Sequence, residues 1–254
     1  MISRISLLHK PVLYPIIAIT LFFGSSASSM AKTPNYQYTN IAPLPGAGVA
    51  INSHGKIDGL GSVQANIPVA YTPKMGYASM SGYRGSHPNT SNTGLDNGSQ
   101  IFALGFFCKP AVYISAMKVS NVPDEAKALS GQISILDENA SHPAVSIGVQ
   151  DILEKEINSR SIYFVATKSV QLFNKNAYAT LGYGGGRFLS RPFGGISVPY
   201  NNHINFITEW DGYQLVGGAA WRPGGRSGKL TFLGAYESGT GLLIGANTSA
   251  ELGR

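Results

Sequence analysis

His203-Ile204-Asn205-Phe206-Ile207-Thr208-Glu209-Trp210, then Asp211-Gly212, then Tyr213-Gln214-Leu215-Val216-Gly217-Gly218-Ala219-Ala220-Trp221-Arg222: this stretch decides the fold. Both runs alternate with period two, the signature of a strand with two different faces. Ile204, Phe206, Thr208 and Trp210 oppose Asn205, Ile207 and Glu209. Tyr213, Leu215, Gly217, Ala219 and Trp221 oppose Gln214, Val216, Gly218, Ala220 and Arg222. Asp211-Gly212 between them is a two-residue hairpin signal, because both residues tolerate positive φ.

The same pattern repeats outward from this hairpin. Leu230, Phe232, Gly234 and Tyr236 alternate with Lys229, Thr231 and Glu237. Upstream, Ile162, Phe164 and Ala166 alternate with Tyr163, Val165 and Thr167, and Val145, Ile147 and Val149 with Ser146, Gly148 and Gln150. In Ser62–Thr72, Val63, Ala65, Ile67, Val69 and Tyr71 share one face, so this stretch is also expected to be a strand, with a bulge at Pro68 where the ladder lacks a donor. A sandwich in water puts bulky residues inside and charges outside. Here the non-apolar face is small and polar, and only 13% of residues are charged. That economy fits an all-β, antiparallel, up-and-down transmembrane β-barrel of about 12–14 strands, with lipid outside and a polar lumen.

The N-terminus reads as an export address. Arg4 and Lys10 precede the apolar run Pro11–Gly24, and small residues lead to Ser29-Met30-Ala31. This is the plan of a signal peptide cut after Ala31, and the apolar run is shorter than the ~20 residues of a spanning helix. The expected organisation is a signal peptide over 1–31, an irregular segment over 32–58 and a barrel over 59–254. Removing 1–31 takes away two basic residues and no acid, lowering the net charge from +6 to +4, too weak a balance to imply nucleic acid.

No catalytic or cofactor constellation emerges. Gly182-Tyr-Gly-Gly-Gly-Arg187 lacks the Lys-Ser/Thr ending of a phosphate loop and reads as a glycine-rich strand end. Ser238-Gly-Thr-Gly241 reads as a hairpin turn, not a nucleophile elbow. Lone Cys108 and the scattered His54, His87, His142 and His203 give no metal-ligand spacing. Asp137-Glu138 and Asp151 read as loop or rim charges. The expectation is therefore no enzyme, no cofactor and no metal. The polar candidates for lumen or rim are Asp137, Gln150, Asp151, Lys168, Glu209 and Arg222. The charges on or beside strands should point inward, since a charge at the lipid midplane costs roughly 2–4 kcal/mol. Tyr71, Tyr200, Trp210, Tyr213, Trp221 and Tyr236 fall near strand ends, where interfacial aromatics gather.

Several stretches in order resemble the YjbH-like (GfcD-like) family of exopolysaccharide-associated outer-membrane proteins. They are Ile135-Leu-Asp-Glu138, Pro143–Asp151, Tyr163–Lys168, Leu181-Gly-Tyr-Gly184, Pro192-Phe-Gly-Gly195 and Glu209-Trp-Asp-Gly212. Asn66-Ile67-Pro68 is similar to that family's first hairpin. The likeness spans most of 59–237, though this chain is short for the family and ends Glu251-Leu-Gly-Arg254 without a terminal aromatic. The resemblance implies a non-catalytic barrel in the outer membrane of a Gram-negative-type cell, in contact with outer-membrane lipid. It implies a role in exopolysaccharide secretion or assembly, with polysaccharide and other export proteins as partners. The alternatives are a general small-solute porin, a rim enzyme acting on lipid, and a soluble periplasmic β-sandwich that binds sugar.

Overall fold

The computed structural model describes residues 45–72, 77–86, 100–108, 112–120, 127–150, 152, 160–172, 174–212, 214–238 and 241–251. The expected signal peptide over 1–31, Asp151 and Tyr213 lie outside these. Twelve strands occur among the described residues: β1 Tyr77–Ser86, β2 Gln100–Cys108, β3 Val112–Ser120, β4 Lys127–Leu136, β5 Ala144–Gln150 and β6 Ser161–Leu172. They continue as β7 Lys175–Gly184, β8 Arg191–Pro199, β9 Ile204–Trp210, β10 Leu215–Trp221, β11 Leu230–Glu237 and β12 Gly241–Glu251. Two single 3-10 turns, Gly186–Phe188 and Gly225–Ser227, are the helical pieces among the described residues.

Each strand pairs antiparallel with its neighbours in sequence, and β1 also pairs with β12 from Tyr77↔Glu251 to Ser86↔Leu242, so the sheet closes on itself. Closure satisfies the two edges that an open sheet leaves bare. With an even number of antiparallel strands, β1 begins and β12 ends at the same end of the barrel, here called the terminal end. The connections 87–99 and 151–160 join strands at the opposite, far end.

The two faces sort as the alternation predicts. Ile147, Ile162, Phe164, Leu181, Phe206, Leu215, Phe232 and Ile244 are exposed on the outside. Ser130, Gln132, Ser146, Thr167, Thr180, Ser197, Asn205, Glu209 and Asn247 are buried on the inside. The sheet is one closed layer, which excludes the two-layer sandwich.

The expected strand over 62–72 is not one, and the first strand starts only at Tyr77. Residues 45–72 run through the barrel interior, making isolated bridges within the segment at Ala47↔Gln64, Ile51↔Ile57 and Ile51↔Ser62. The boundary expected at residue 59 is therefore displaced, because 59–72 continues the segment before it. The alternation of 62–72 does not mark two faces here, because every residue from Gly61 to Thr72 is buried within the lumen. Pro68 needs no bulge, since the segment contributes to no wall ladder.

Candidate functional site

The site is the lumen and the segment that fills it. Asp58 stands at the terminal end, where its carboxylate takes three hydrogen bonds from Arg226 of the β10–β11 connection at 2.7–3.0 Å. From there the chain climbs the β7–β10 wall. Arg222 donates to Gly59 O at 2.5 Å, Tyr178 to Leu60 O at 2.8 Å and Asn205 to Gly61 O at 3.0 Å. Val63 N donates to Ser197 Oγ at 3.2 Å. Glu209 then accepts two main-chain N–H groups, from Ala65 at 3.0 Å and Asn66 at 2.6 Å. Asn66 Nδ2 donates to Glu237 Oε1 at 2.6 Å, and Arg187 donates to Asn66 O. Arg187, Glu209 and Glu237 all stand toward the far end of their strands or connections, so Asn66 is the apex of the segment.

The chain descends along β4–β6. Gln132 donates to Val69 O at 3.0 Å and to Thr72 Oγ1 at 2.9 Å. Ala70 N donates to Thr167 Oγ1 at 2.8 Å, and Ser146 Oγ donates to Ala70 O at 2.6 Å. Tyr71 ends the descent by donating its hydroxyl to Glu138, which also accepts from Ser169 N at 3.0 Å and Ser169 Oγ at 2.5 Å. Burial first, then the Glu138 carboxylate, pushes the Tyr71 hydroxyl well above its ordinary pKa, so it remains a donor at every physiological pH.

Most of these wall contacts reach the main chain of the segment. An extended chain outside any ladder must find partners for its N–H and C=O groups. The polar inward side chains supply them, so the lumen wall reads the segment chiefly by its backbone. Apolar side chains fill the rest: Ile51, Ile67 and Val69 cluster with Tyr163, Phe188 and Phe193. Wall glycines make room for these aromatics. A Cβ on Gly148 would lie 2.1 Å from the Tyr163 ring, and one on Gly182 would lie 2.2 Å from the Phe193 ring. Gly148↔Tyr163 and Gly182↔Phe193 are paired across neighbouring strands, so each ring lies over the glycine opposite it. The run Gly182–Arg187 is thus a strand end and turn that leaves space for rings. Its cation, Arg187, holds the apex of the segment.

Among the six polar candidates, Glu209 and Arg222 are buried and point inward as expected, yet they bind the lumen segment rather than each other or an open lumen. Gln150 also faces inward and is buried. Lys168 departs from expectation. It shares the outward register of Ile162 and Phe164, and it tolerates this by lying near the terminal end. There it donates to the carbonyls of Asn139, Ala140 (3.3 Å) and His142 (3.2 Å), with Glu138 at 3.7 Å. Asp137 is exposed at the same rim, and the Asp137-Glu138 pair is divided, Glu138 being spent on Tyr71 and Ser169.

Among the aromatics, Tyr200 (54% exposed), Trp221 (50%) and Tyr236 (63%) stand on the outside, and Trp210 is half-buried in the outward register. Tyr200 and Trp221 mark the terminal end, while Trp210, Tyr236 and Tyr183 mark the far end. Tyr71 is the exception: it is 2% exposed inside the lumen. It belongs to the lumen segment and not to a wall strand, so it is no interfacial aromatic.

No protein-family model matches the chain, and no curated protein matches it either. The site therefore stands on its own geometry. The residues that sequence reasoning missed are Gln132, Glu138, Ser146, Thr167, Arg187 and Glu237. Ser146, Thr167 and Glu237 were visible as members of an inward face. Their partner was not visible, because nothing local to them names residues 59–72.

Proposed function

We propose that the chain is an outer-membrane β-barrel, exported through a cleaved signal peptide, that takes part in exopolysaccharide secretion or assembly without catalysis. The observation that carries the membrane reading is the outer surface. Among the described side chains, exposed Ile, Leu and Phe line the outer faces of β3–β7 and β9–β12, with Tyr and Trp toward both ends. Soluble proteins rarely expose contiguous apolar patches beyond a few hundred Å², and in lipid a closed sheet satisfies every backbone group. The polysaccharide role is supported by the resemblance of 59–237 to the YjbH-like family. The filled lumen adds a constraint: while residues 45–72 are seated, the barrel is no free conduit. This disfavours a general porin and favours an anchoring or assembly role, or a conduit that opens on demand.

The test is extraction of cell envelopes followed by electrophoresis with and without boiling. The expected result is that the protein requires detergent for release and runs as a compact species that shifts on heating. Release by salt or osmotic shock alone would refute the membrane reading. Loss of capsule or matrix polysaccharide on deletion, restored by the intact chain, would support the polymer role; unchanged polymer would refute it.

A further inference from the structure

We propose that residues 45–72 form a reversible gate, latched at its apex by Glu209, Glu237 and Arg187, that withdraws from the lumen through the terminal end. Three observations carry this. First, the path is a loop. Its described rise from Asp58 and its descent to Tyr71 are both fixed at the terminal end, by Arg226 and Glu138, while Asn66 reaches furthest in. Its withdrawal opens no strand pair of the wall. Its own bridges hold it together as it moves.

Second, the segment is joined to the strands by side chains. Among the described bonds, its main chain bonds wall main chain only at Gly59 N to Arg226 O, in a connection at the rim. Every strand contact is made by a hydroxyl, amide, carboxylate or guanidinium that water can serve equally well once the segment leaves. Such exchange keeps the net worth of an ordinary hydrogen bond small.

Third, the closed form carries a cost that opening removes. Gln64 is fully buried on the segment, and neither its Oε1 nor its Nε2 has a hydrogen-bond partner. A buried amide left unpaired carries its full desolvation penalty, and hydration on withdrawal recovers it. The bonds at Asn66, one of them from the Arg187 guanidinium, oppose this and hold the gate shut. The balance is thus concentrated in a few apex contacts, as a latch requires.

The gate bears on the proposed function, because it decides when the lumen is open. Its test does not depend on that function or on insertion into a bilayer. Hydrogen–deuterium exchange is followed on the full chain folded in detergent micelles. The amides of Val63, Ala65, Asn66 and Ala70 are expected to exchange at one common rate, faster than the amides of β6–β9. Glu209→Ala with Glu237→Ala should speed that common rate by about ten- to a hundredfold, because buried donors of the segment then lose their acceptors, and leave the β6–β9 rates unchanged. A second arm uses Ala70→Cys with Thr167→Cys in a Cys108→Ser background. Oxidation should slow the segment to the rate of the wall, and reduction should restore it. Segment amides no faster than the wall, latch variants that speed wall and segment alike, or equal rates in oxidised and reduced protein would each overturn the gate. Because the disulfide comparison keeps both latch carboxylates, it decides the matter even where the latch variants fail to fold.

Discussion

Two residues show how much rests on single side chains. Glu209 accepts two main-chain N–H groups in a buried site. Glu209→Ala leaves both donors without an acceptor, and a loss of about 1–3 kcal/mol is expected, the cost of leaving a buried hydrogen-bonding group unsatisfied. The folded fraction in a urea titration, read by the gel shift, measures it. Gly148 works by having no side chain. Its bare Cα lets Tyr163 lie against the wall and donate to Gln132 at 2.9 Å, and Gln132 in turn anchors Val69 and Thr72. Gly148→Val should therefore cost about 1–3 kcal/mol through overpacking, and proteolysis should show the 67–72 limb loosened. Neither role was legible from neighbouring sequence. Glu209 was recognisable as an inward charge, but its partners lie 143 and 144 positions away.

Elements were more legible than residues, because a strand declares its two faces every second position. β5, β6, β9, β10 and β11 occupy the windows the alternation marked, with the expected side outward. Ile147 sits centrally on the outer face of β5, 47% exposed. Ile147→Arg should cost about 2–4 kcal/mol if that face meets hydrocarbon and close to nothing if it meets water, so refolding yields into lipid and into detergent-free buffer separate the two. The lumen segment is the element the pattern misnamed, since period two does not distinguish a strand in a ladder from an extended chain in a tube. Its foot is acid-sensitive. Burial alone would raise the pKa of Asp58, but the Arg226 hydrogen bonds and charge, with Leu60 N–H and Asn52, hold it below the ordinary value. A carboxylate whose folded pKa is depressed contributes stability above its unfolded value, near 3.9, and loses it as pH falls through the lower folded value. Exchange of the 58–61 amides should therefore accelerate below about pH 4, and Asp58→Asn should abolish that dependence.

At the scale of the whole molecule, closure through β1 and β12 gives the barrel two ends of different character, with 87–99 and 151–160 joining strands at the far end. In the proposed outer-membrane placement, an epitope inserted after Asn92 should be stained on intact cells and a tag following β12 only after permeabilisation; the reverse would invert the orientation, and staining of neither before permeabilisation would refute the placement. The sequence by itself determined that the chain is a ring of antiparallel strands, greasy outside and polar inside. That property is periodic and local, repeated in every window and independent of which strand meets which. Only the tertiary structure decided that the polar lumen is occupied by the chain's own residues 45–72. That outcome depends on bonds between positions 60 to 171 residues apart. They are made mostly to main-chain atoms that every sequence possesses, and so they leave no mark in the pattern of side chains.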